Sequence, residues 1–482
     1  MGSNPTPSAS ITTRQPRPLM KAVLQSVPLP DFGMPAEQPV IPAATYAARL
    51  AAFADRFRVS GLDAVLVYAD REHSANMSYL TGFDPRFEEA LMVILPARTP
   101  VLLAGPENRG FAATASIDLD VRLYPPFGLM GQDRSKTPPL ADLLRDAGLA
   151  AGMKVGIAGW KFYGPREAAR PEEWSEAPSF IVDTVRAIVA PSGRVTNANA
   201  ILMHATTGLR AVNDVDQLAA FEYAACHTSE AVKRVVFGVR PGMREFEAAR
   251  LLAPIGLPYN CHAMLSSGER ARFGLGSPGD HVIQRGEPFT TAYGVWGALN
   301  CRAGWLVEDA GELPPPIRDY VDKLVAPYFL AVAEWYATIG IGVPGGELDA
   351  LVKRRIGDPF FGLFLPPGHL IHLDEWMNTP IYPGSTERLV SGQAIQVDII
   401  PATGGPYFTS NIEDGIALLD ARGRDEFAER HPAAWRRTQA RRAYMADVIG
   451  IVPKPEVLPF SNIPAYLPPF ILAPATAMVQ RN

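Results

Sequence analysis

Histidines and carboxylates that stand among apolar residues are the side chains of this chain that could do chemistry. His369 follows a glycine in the segment PPGHLIH, and Asp398 lies in the apolar run QVDII. A carboxylate in such a run needs a partner, because a buried charge without one is costly. His369 could be that partner, since carboxylates orient catalytic imidazoles; an ion pair with an arginine is the alternative. The two residues predict an acid–base site.

Two further histidines and a glutamate are candidates for the same site. His372 lies three residues after His369, so both would face one side if the segment were helical, whereas a supporting position behind the site or a surface position is the other interpretation. His262 lies beside Cys261 in the strand-like segment YNCHAML, where a histidine that only packs in the core is the alternative. Glu413 precedes a second acid in NIEDG, and either carboxylate could be a surface residue at a strand end.

The composition is that of a globular protein and argues against several classes. The 482 residues are 47% hydrophobic and 20% charged. A net charge of −5 argues against nucleic-acid binding. The 3 cysteines are too few for a disulfide framework and fit no zinc pattern, which favours the cytoplasm. No apolar run reaches the roughly 18 residues of a membrane span, so we expect no membrane insertion.

Strand-like and helical segments divide the chain into two domains and two flanking segments. Residues 1–42 are rich in Pro, Ser and Thr and predict an N-terminal arm. Residues 43–205 alternate short apolar runs with helical segments, which predicts an α/β domain. Residues 206–445 begin with a long helical stretch and end in two strand-like runs. Residues 446–482 form a Pro-rich tail, which we expect to pack along its own domain or across a dimer contact.

Several motifs carry a family resemblance. NMSYLTGFDPRFEEALMVILP, VRPGMREFEAA, SSGERARFGLGSP, LPPGHLIHLDEW, VDIIP and NIEDGIAL occur in this order. Together they resemble the creatinase/prolidase/methionine aminopeptidase (M24-like peptidase) family. The resemblance implies an α/β (α+β) fold, with a creatinase-like N-terminal α/β domain followed by a pita-bread C-terminal domain. It also implies a small-molecule substrate and a homodimer.

The resemblance assigns metal-site positions that this chain only partly fills. Metal-dependent relatives use two Asp, one His and two Glu, and the motifs place His369, Asp398 and Glu413 at the last three positions. The stretch Arg285–Asp309 should supply the two Asp, but no Asp falls between His281 and Glu308. We therefore expect a degenerate, metal-free site, with a single divalent ion as the alternative.

Neutral residues replace the missing catalytic groups. Ala292, Leu299 and Asn300 stand near the places of the two Asp. Creatinase, which lacks metal, uses a further histidine as its general acid/base, and here that position falls near Leu275. A leucine cannot move a proton, so an acid/base role would have to pass to another residue.

Aromatic and charged residues are candidates for binding a substrate. They are Trp296, Tyr293, Phe289, Arg302, Glu88 and Arg86. The aromatic residues could wall an apolar pocket or belong to the core. The resemblance puts the carboxylate-binding arginine of creatinase near Glu88, and a shift of register would bring Arg86 there; a solvated surface is the alternative. Arg302 follows the place of the second family Asp and could anchor a neighbouring acid.

Three functions are consistent with these residues. The first is a metal-independent hydrolase or lyase of the creatinase type that acts on a C–N or related bond of a small molecule, with His369 as acid/base. The second is an Xaa-Pro peptidase-like hydrolase with a single divalent ion. The third is a catalytically silent pita-bread protein that binds a ligand or partner. Dependence on metal distinguishes the first two, and turnover distinguishes both from the third.

Overall fold

Each predicted domain is built around its own sheet in the computed structural model, which describes residues 20–375 and 377–481. The described chain begins with strand β1 (Lys21–Ser26). The first domain then contains α1 (Ala43–Val59), β2 (Ala64–Ala69), α2 (Ala75–Thr81), β3 (Ala90–Ile94), β4 (Val101–Ala104), α3 (Pro106–Phe111), β5 (Asp120–Leu123), α4 (Leu140–Asp146), β6 (Lys154–Ala158), α5 (Ser179–Val189), β7 (Arg194–Asn197) and α6 (Ala200–Met203).

The sheet of the first domain has six strands in the order β5-β4-β3-β2-β6-β7 and mixes parallel with antiparallel pairs. Its centre is the fully buried strand β2, AVLVYA, whose alternate side chains enter two cores. Val65 and Val67 share one core with Phe53 of α1, whereas Leu66 shares the other with Ile181 of α5. Helices on both faces explain why this strand is apolar throughout.

The second domain follows with helices around a larger antiparallel sheet. Its elements are α7 (Val215–Gly238), α8 (Glu245–Ala249), β8 (Met264–Ser267), β9 (Pro288–Val295), β10 (Ala298–Trp305), α9 (Ala326–Thr338), α10 (Gly345–Ile356), β11 (His369–Leu370), β12 (Ala394–Asp398), β13 (Asn411–Leu418), α11 (Ala421–Arg430), α12 (Pro432–Tyr444), β14 (Val457–Pro459) and β15 (Thr476–Arg481). The strand order is β11-β12-β13-β10-β9-β8, with β14 paired to β13. Among the helices of the described residues, none combines the length and the hydrophobicity that crossing a membrane requires.

The two ends of the described chain pair with each other on the second domain. β1 runs antiparallel to β15, with Lys21 opposite Arg481. The described part of the predicted N-terminal arm is therefore bonded to its own chain, and residues 1–19 lie outside the described residues. The Pro-rich tail before β15 is buried and packs along its own domain: the Ile471 amide donates to the Trp305 carbonyl over 2.8 Å.

A buried ionic cluster ties α7 to α12. The Glu222 carboxylate is inaccessible to solvent and accepts hydrogen bonds from Arg441 at 2.7 Å and from Arg437 at 2.9 Å. Burial alone would raise the pKa of Glu222, but the two guanidinium groups outweigh burial and hold that pKa below its usual range. Arg441 also donates to Asn462 at 2.7 Å, so the cluster reaches the C-terminal tail.

The substitution Glu222→Gln should destabilise the protein by about 3–5 kcal/mol, because it leaves two guanidinium groups without their buried counter-charge. Urea unfolding measures the change. The matched control is Glu334→Gln on the surface, where the carboxylate pairs with Arg354 and Arg355. That control should cost less than about 1 kcal/mol. Equal effects of the two substitutions would contradict the importance of the cluster.

Candidate active site

The register of three neighbouring strands brings together His369, Asp398 and Glu413. Asp398 of β12 lies directly opposite Glu413 of β13, and His369 of β11 lies opposite Gln396. Residues opposite each other share a face of a sheet, and so do residues two apart on one strand. All three side chains therefore lie on the same face. The site follows from strand pairing, although the residues are up to 44 positions apart in the sequence (413 − 369).

A fourth side chain, Glu375, joins these three from the loop after β11. The Nε2 atom of His369 lies 3.5 Å from an oxygen of Glu375, 3.7 Å from one of Glu413 and 3.8 Å from one of Asp398. Ligand atoms of His369, Asp398 and Glu413 all lie within 4.8 Å of one another, which is a spacing that a single metal ion could bridge. Sequence reasoning did not identify Glu375, although it belongs to the acidic segment HLDEW.

The cluster concentrates negative charge in a buried place. Burial and repulsion from Glu413 raise the pKa of Asp398 to about 7, against the attraction of His369. Burial, together with repulsion from Glu375, likewise raises the pKa of Glu413 to about 7. Burial alone would lower the pKa of His369, but the surrounding carboxylates outweigh it and raise that pKa to about 10. The four groups thus attract either protons or a cation.

One oxygen of this cluster has no partner. The Oδ1 atom of Asp398 is buried and accepts no hydrogen bond from the described residues. Leaving a buried acceptor unpaired is costly. No lysine or arginine occurs among the described residues that line the surrounding cavity. The unpaired oxygen therefore points to a ligand that the cluster is built to hold.

The cluster opens into two adjoining chambers, of which the outer one lies between the domains. The inner chamber has a volume of about 610 Å³ and is walled by apolar residues such as Leu299, Leu365 and Ile400. The outer chamber, of about 660 Å³, lies between Trp160 and Lys161 of the first domain and second-domain residues that include Trp296. Residues common to both chambers are Cys261, His262, Glu375, Met377 and Asn378. Glu375 thus lies where the chambers meet.

Two of the predicted binding residues, Arg86 and Trp296, line the outer chamber together. The Arg86 guanidinium lies 4.7 Å above the Trp296 ring and donates to Asp84 at 2.8 Å and to the Tyr259 carbonyl at 3.1 Å. These contacts link the two domains at the chamber wall. His73, which the sequence analysis did not single out, stacks on Trp160 in the same chamber with ring centroids 3.6 Å apart.

His262 lies at the rim shared by the two chambers. Its ring is exposed, and Nε2 donates to the Leu275 carbonyl over 2.8 Å. If the ring is neutral and carries its proton on Nε2, the Nδ1 atom is free to accept a proton. The residue therefore contacts the position where the resemblance expected the missing histidine.

The structure does not bring His372 to the site, because the segment after β11 is not helical. His372 is fully buried in an edge-to-face contact with Phe221, at 5.1 Å between ring centroids. Burial, with Arg210 nearby, holds the pKa of His372 well below its usual value. A catalytic role at the cluster is therefore wrong for this residue.

Because side chains alternate between the two faces of a strand, several other predicted residues lie on the face away from the site. Leu299 lines the inner chamber, and Ala292 lines a further cavity of about 690 Å³ that Glu413 also borders, as expected for positions that replace the missing Asp. Phe289, Tyr293 and Asn300 occupy alternate positions on β9 and β10. Their side chains are at most 2% exposed and line neither chamber. Asn300 donates to Asp414 over 2.8 Å on the opposite face.

Two charged candidates also have structural partners away from the chambers. Arg302 is 1% exposed and pairs with Asp414 at 2.9 Å, so it anchors a neighbouring acid, and it lines neither chamber. Glu88 accepts hydrogen bonds from the amides of Glu107 and Asn108 at 2.9 and 3.1 Å. A carboxylate at the beginning of α3 satisfies amides that the helix leaves free. Glu88 is therefore a helix-capping residue.

The comparisons with known proteins agree with this architecture. Residues 49–187 match the Creatinase/Prolidase N-terminal domain. The prolidase from Thermococcus sibiricus is 18% identical with a TM-score of 0.60, over 78% of this chain and 95% of that one. The prolidase from Pyrococcus horikoshii OT3 is 15% identical with a TM-score of 0.58, over 77% and 95%.

The Xaa-Pro dipeptidase from Bacillus anthracis is 16% identical with a TM-score of 0.57, over 78% of this chain and 96% of that one. No curated protein matches the sequence significantly. At these identities the structural likeness establishes the fold. Residues 49–187 belong to the creatinase/prolidase N-terminal domain family and most of the chain folds as the prolidases do, which confirms the creatinase/prolidase family predicted from the motifs.

Proposed function

We propose that this protein is a hydrolase that cleaves a C–N bond of a small molecule with the help of one divalent metal ion. The observation that carries the proposal is the buried cluster of His369, Asp398 and Glu413, in which one Asp398 oxygen has no partner among the described residues. The likeness to prolidases and to an Xaa-Pro dipeptidase supports the choice of bond. Both chambers have the volume of small-molecule sites.

The donor set fits a divalent ion. Imidazole suits several transition metals and carboxylates suit harder ions, so one nitrogen and several oxygens favour an ion such as Mn²⁺ or Zn²⁺. A positive ion would also offset the negative charge that raises the pKa of the Asp398 carboxyl group. His369, Asp398 and Glu413 would hold the ion. A metal in such a site supplies Lewis acidity and an activated water.

The strands that supply ligands in two-metal relatives argue against a second ion here. Ala292 and Leu299 line the cavities at those positions, and neither side chain can bind a metal. The apolar wall around Leu299 limits the water that enters the inner chamber. It also favours a substrate with an apolar part beside the scissile bond.

Residues around the cluster can position a substrate and move a proton. His262 offers a free Nδ1 at the rim, which suits transfer of a proton to or from the reacting group. Arg86 and Trp296 provide a charged and aromatic surface in the outer chamber. The homodimer implied by the resemblance stays a prediction.

Metal content tests the proposal without a known substrate. The purified protein should bind about one equivalent of Mn²⁺ per chain, and His369→Ala should weaken binding by at least about 100-fold because a ligand is lost. Titration calorimetry on metal-stripped protein measures both. His262→Ala is the matched control and should bind as the wild type does. Absence of tight binding by the wild type would contradict the one-ion site.

Activity should depend on that ion. We expect hydrolysis within a panel of Xaa-Pro dipeptides and small amides when Mn²⁺ is present, and a loss of at least about tenfold in a chelator. Activity that survives chelation would overturn the proposal in favour of the metal-independent hydrolase with His369 as acid/base. Compounds that raise the melting temperature without being turned over would instead support the silent ligand-binding alternative.

A further inference from the structure

Glu375 is held beside the cluster although no strand carries it. Its side chain is 16% exposed, and one of its oxygens is the closest carboxylate oxygen to the Nε2 atom of His369, at 3.5 Å. Oxygens of Glu413 and Asp398 also approach that Nε2 atom, at 3.7 and 3.8 Å, so three carboxylates converge on one imidazole in a largely buried place. Such a position calls for a compensating contact.

The loop that carries Glu375 is anchored by contacts with both domains. Asp374 forms an ion pair with Arg210, which is 1% exposed. Arg210 donates to Asn76 over 2.7 Å, and Asn76 donates to the Gly159 carbonyl over 2.7 Å in the first domain. On the other side, the Gly297 amide donates to the His372 carbonyl over 2.8 Å. These contacts fix the loop, so its carboxylate is directed at the cluster by the fold.

The distances from the Nε2 atom of His369 to three carboxylates are of the size that separates the ligands of one ion. Bonds of about 2.0–2.2 Å in a tetrahedral arrangement separate neighbouring ligand atoms by about 3.4 Å. The Nε2 atom lies 3.5, 3.7 and 3.8 Å from oxygens of Glu375, Glu413 and Asp398. Glu375 matches the expected separation best of the three carboxylates. The partnerless Oδ1 of Asp398 gives independent evidence that a ligand belongs there.

We propose that Glu375 is a fourth protein ligand of the metal ion and supplies a carboxylate that β9 and β10 do not. This inference rests on the proposed one-ion function. The site would then consist of one imidazole and three carboxylates from β11, the following loop, β12 and β13. Its ligand class is a single divalent first-row ion that accepts oxygen-rich coordination, such as Mn²⁺.

Titration calorimetry with Mn²⁺ alone tests this role on metal-stripped full-length protein. Glu375→Gln keeps the shape of the side chain and removes its charge, and we expect it to weaken binding at least about tenfold. The matched control is Glu72→Gln, because Glu72 is an exposed acid of the outer chamber outside the cluster. The control should bind Mn²⁺ within about twofold of the wild type, because exposed charges are screened.

The outcomes separate this inference from the function on which it rests. If the wild type does not bind Mn²⁺, the one-ion function fails and Glu375 has no ion to hold. If the wild type and Glu375→Gln bind equally, the function stands and the role of Glu375 is wrong. Weaker binding by Glu375→Gln with an unchanged control supports the inference.

Thermal unfolding shows that a loss of affinity is not a loss of fold. Without metal, Glu375→Gln should melt at or above the wild-type temperature, because it removes one of three mutually repelling carboxylates. With saturating Mn²⁺, its melting temperature should rise less than that of the wild type. The visible spectrum of the Co²⁺-loaded protein should also change in Glu375→Gln. An identical spectrum would overturn the assignment even if calorimetry were disturbed by partial unfolding.

Discussion

The site depends on one constraint, which is the negative charge of the buried cluster on the sheet of the second domain. Asp398 and Glu413 face each other across a strand pair, and Glu375 approaches from a loop. The described residues that line the inner chamber include two histidines, His369 in the cluster and His262 at the rim, but no lysine or arginine. Nearby arginines already have partners, because Arg302 pairs with Asp414 and Arg210 with Asp374. The charge therefore needs protons or a metal ion from outside the chain.

The rest of the second domain holds these acids in place despite their repulsion. Strand pairing fixes three of the side chains, and the ion pair between Arg210 and Asp374 fixes the loop of the fourth. The C-terminal tail packs over the opposite face of the same strands, where the Ala465 amide donates to Asp414 over 2.9 Å. Burial of the tail thus supports β13, on which Glu413 lies.

The sequence predicted the fold and three of the four residues of the cluster, because these depend on local patterns and on motifs that the family shares. His372 lies away from the cluster, because the segment after β11 is not the helix that would place it on the same side as His369. For Phe289 and Tyr293 the sequence left a pocket wall and the core as alternatives, because both faces of β9 are buried and the apolar pattern does not show which face meets the chamber. Glu375 was missed because its position depends on a contact between residues 164 apart.

The hairpin of β9 and β10 carries no carboxylate, and the residues that face the cluster there, such as Leu299, are apolar. We infer that the metal site lies nearer the β11 edge of the sheet, where Glu375 adds a carboxylate. Anomalous X-ray diffraction from Mn²⁺-soaked crystals tests this most directly. We expect a single peak surrounded by His369, Glu375, Asp398 and Glu413, whereas no peak there, or two peaks, would be incompatible with a one-ion site.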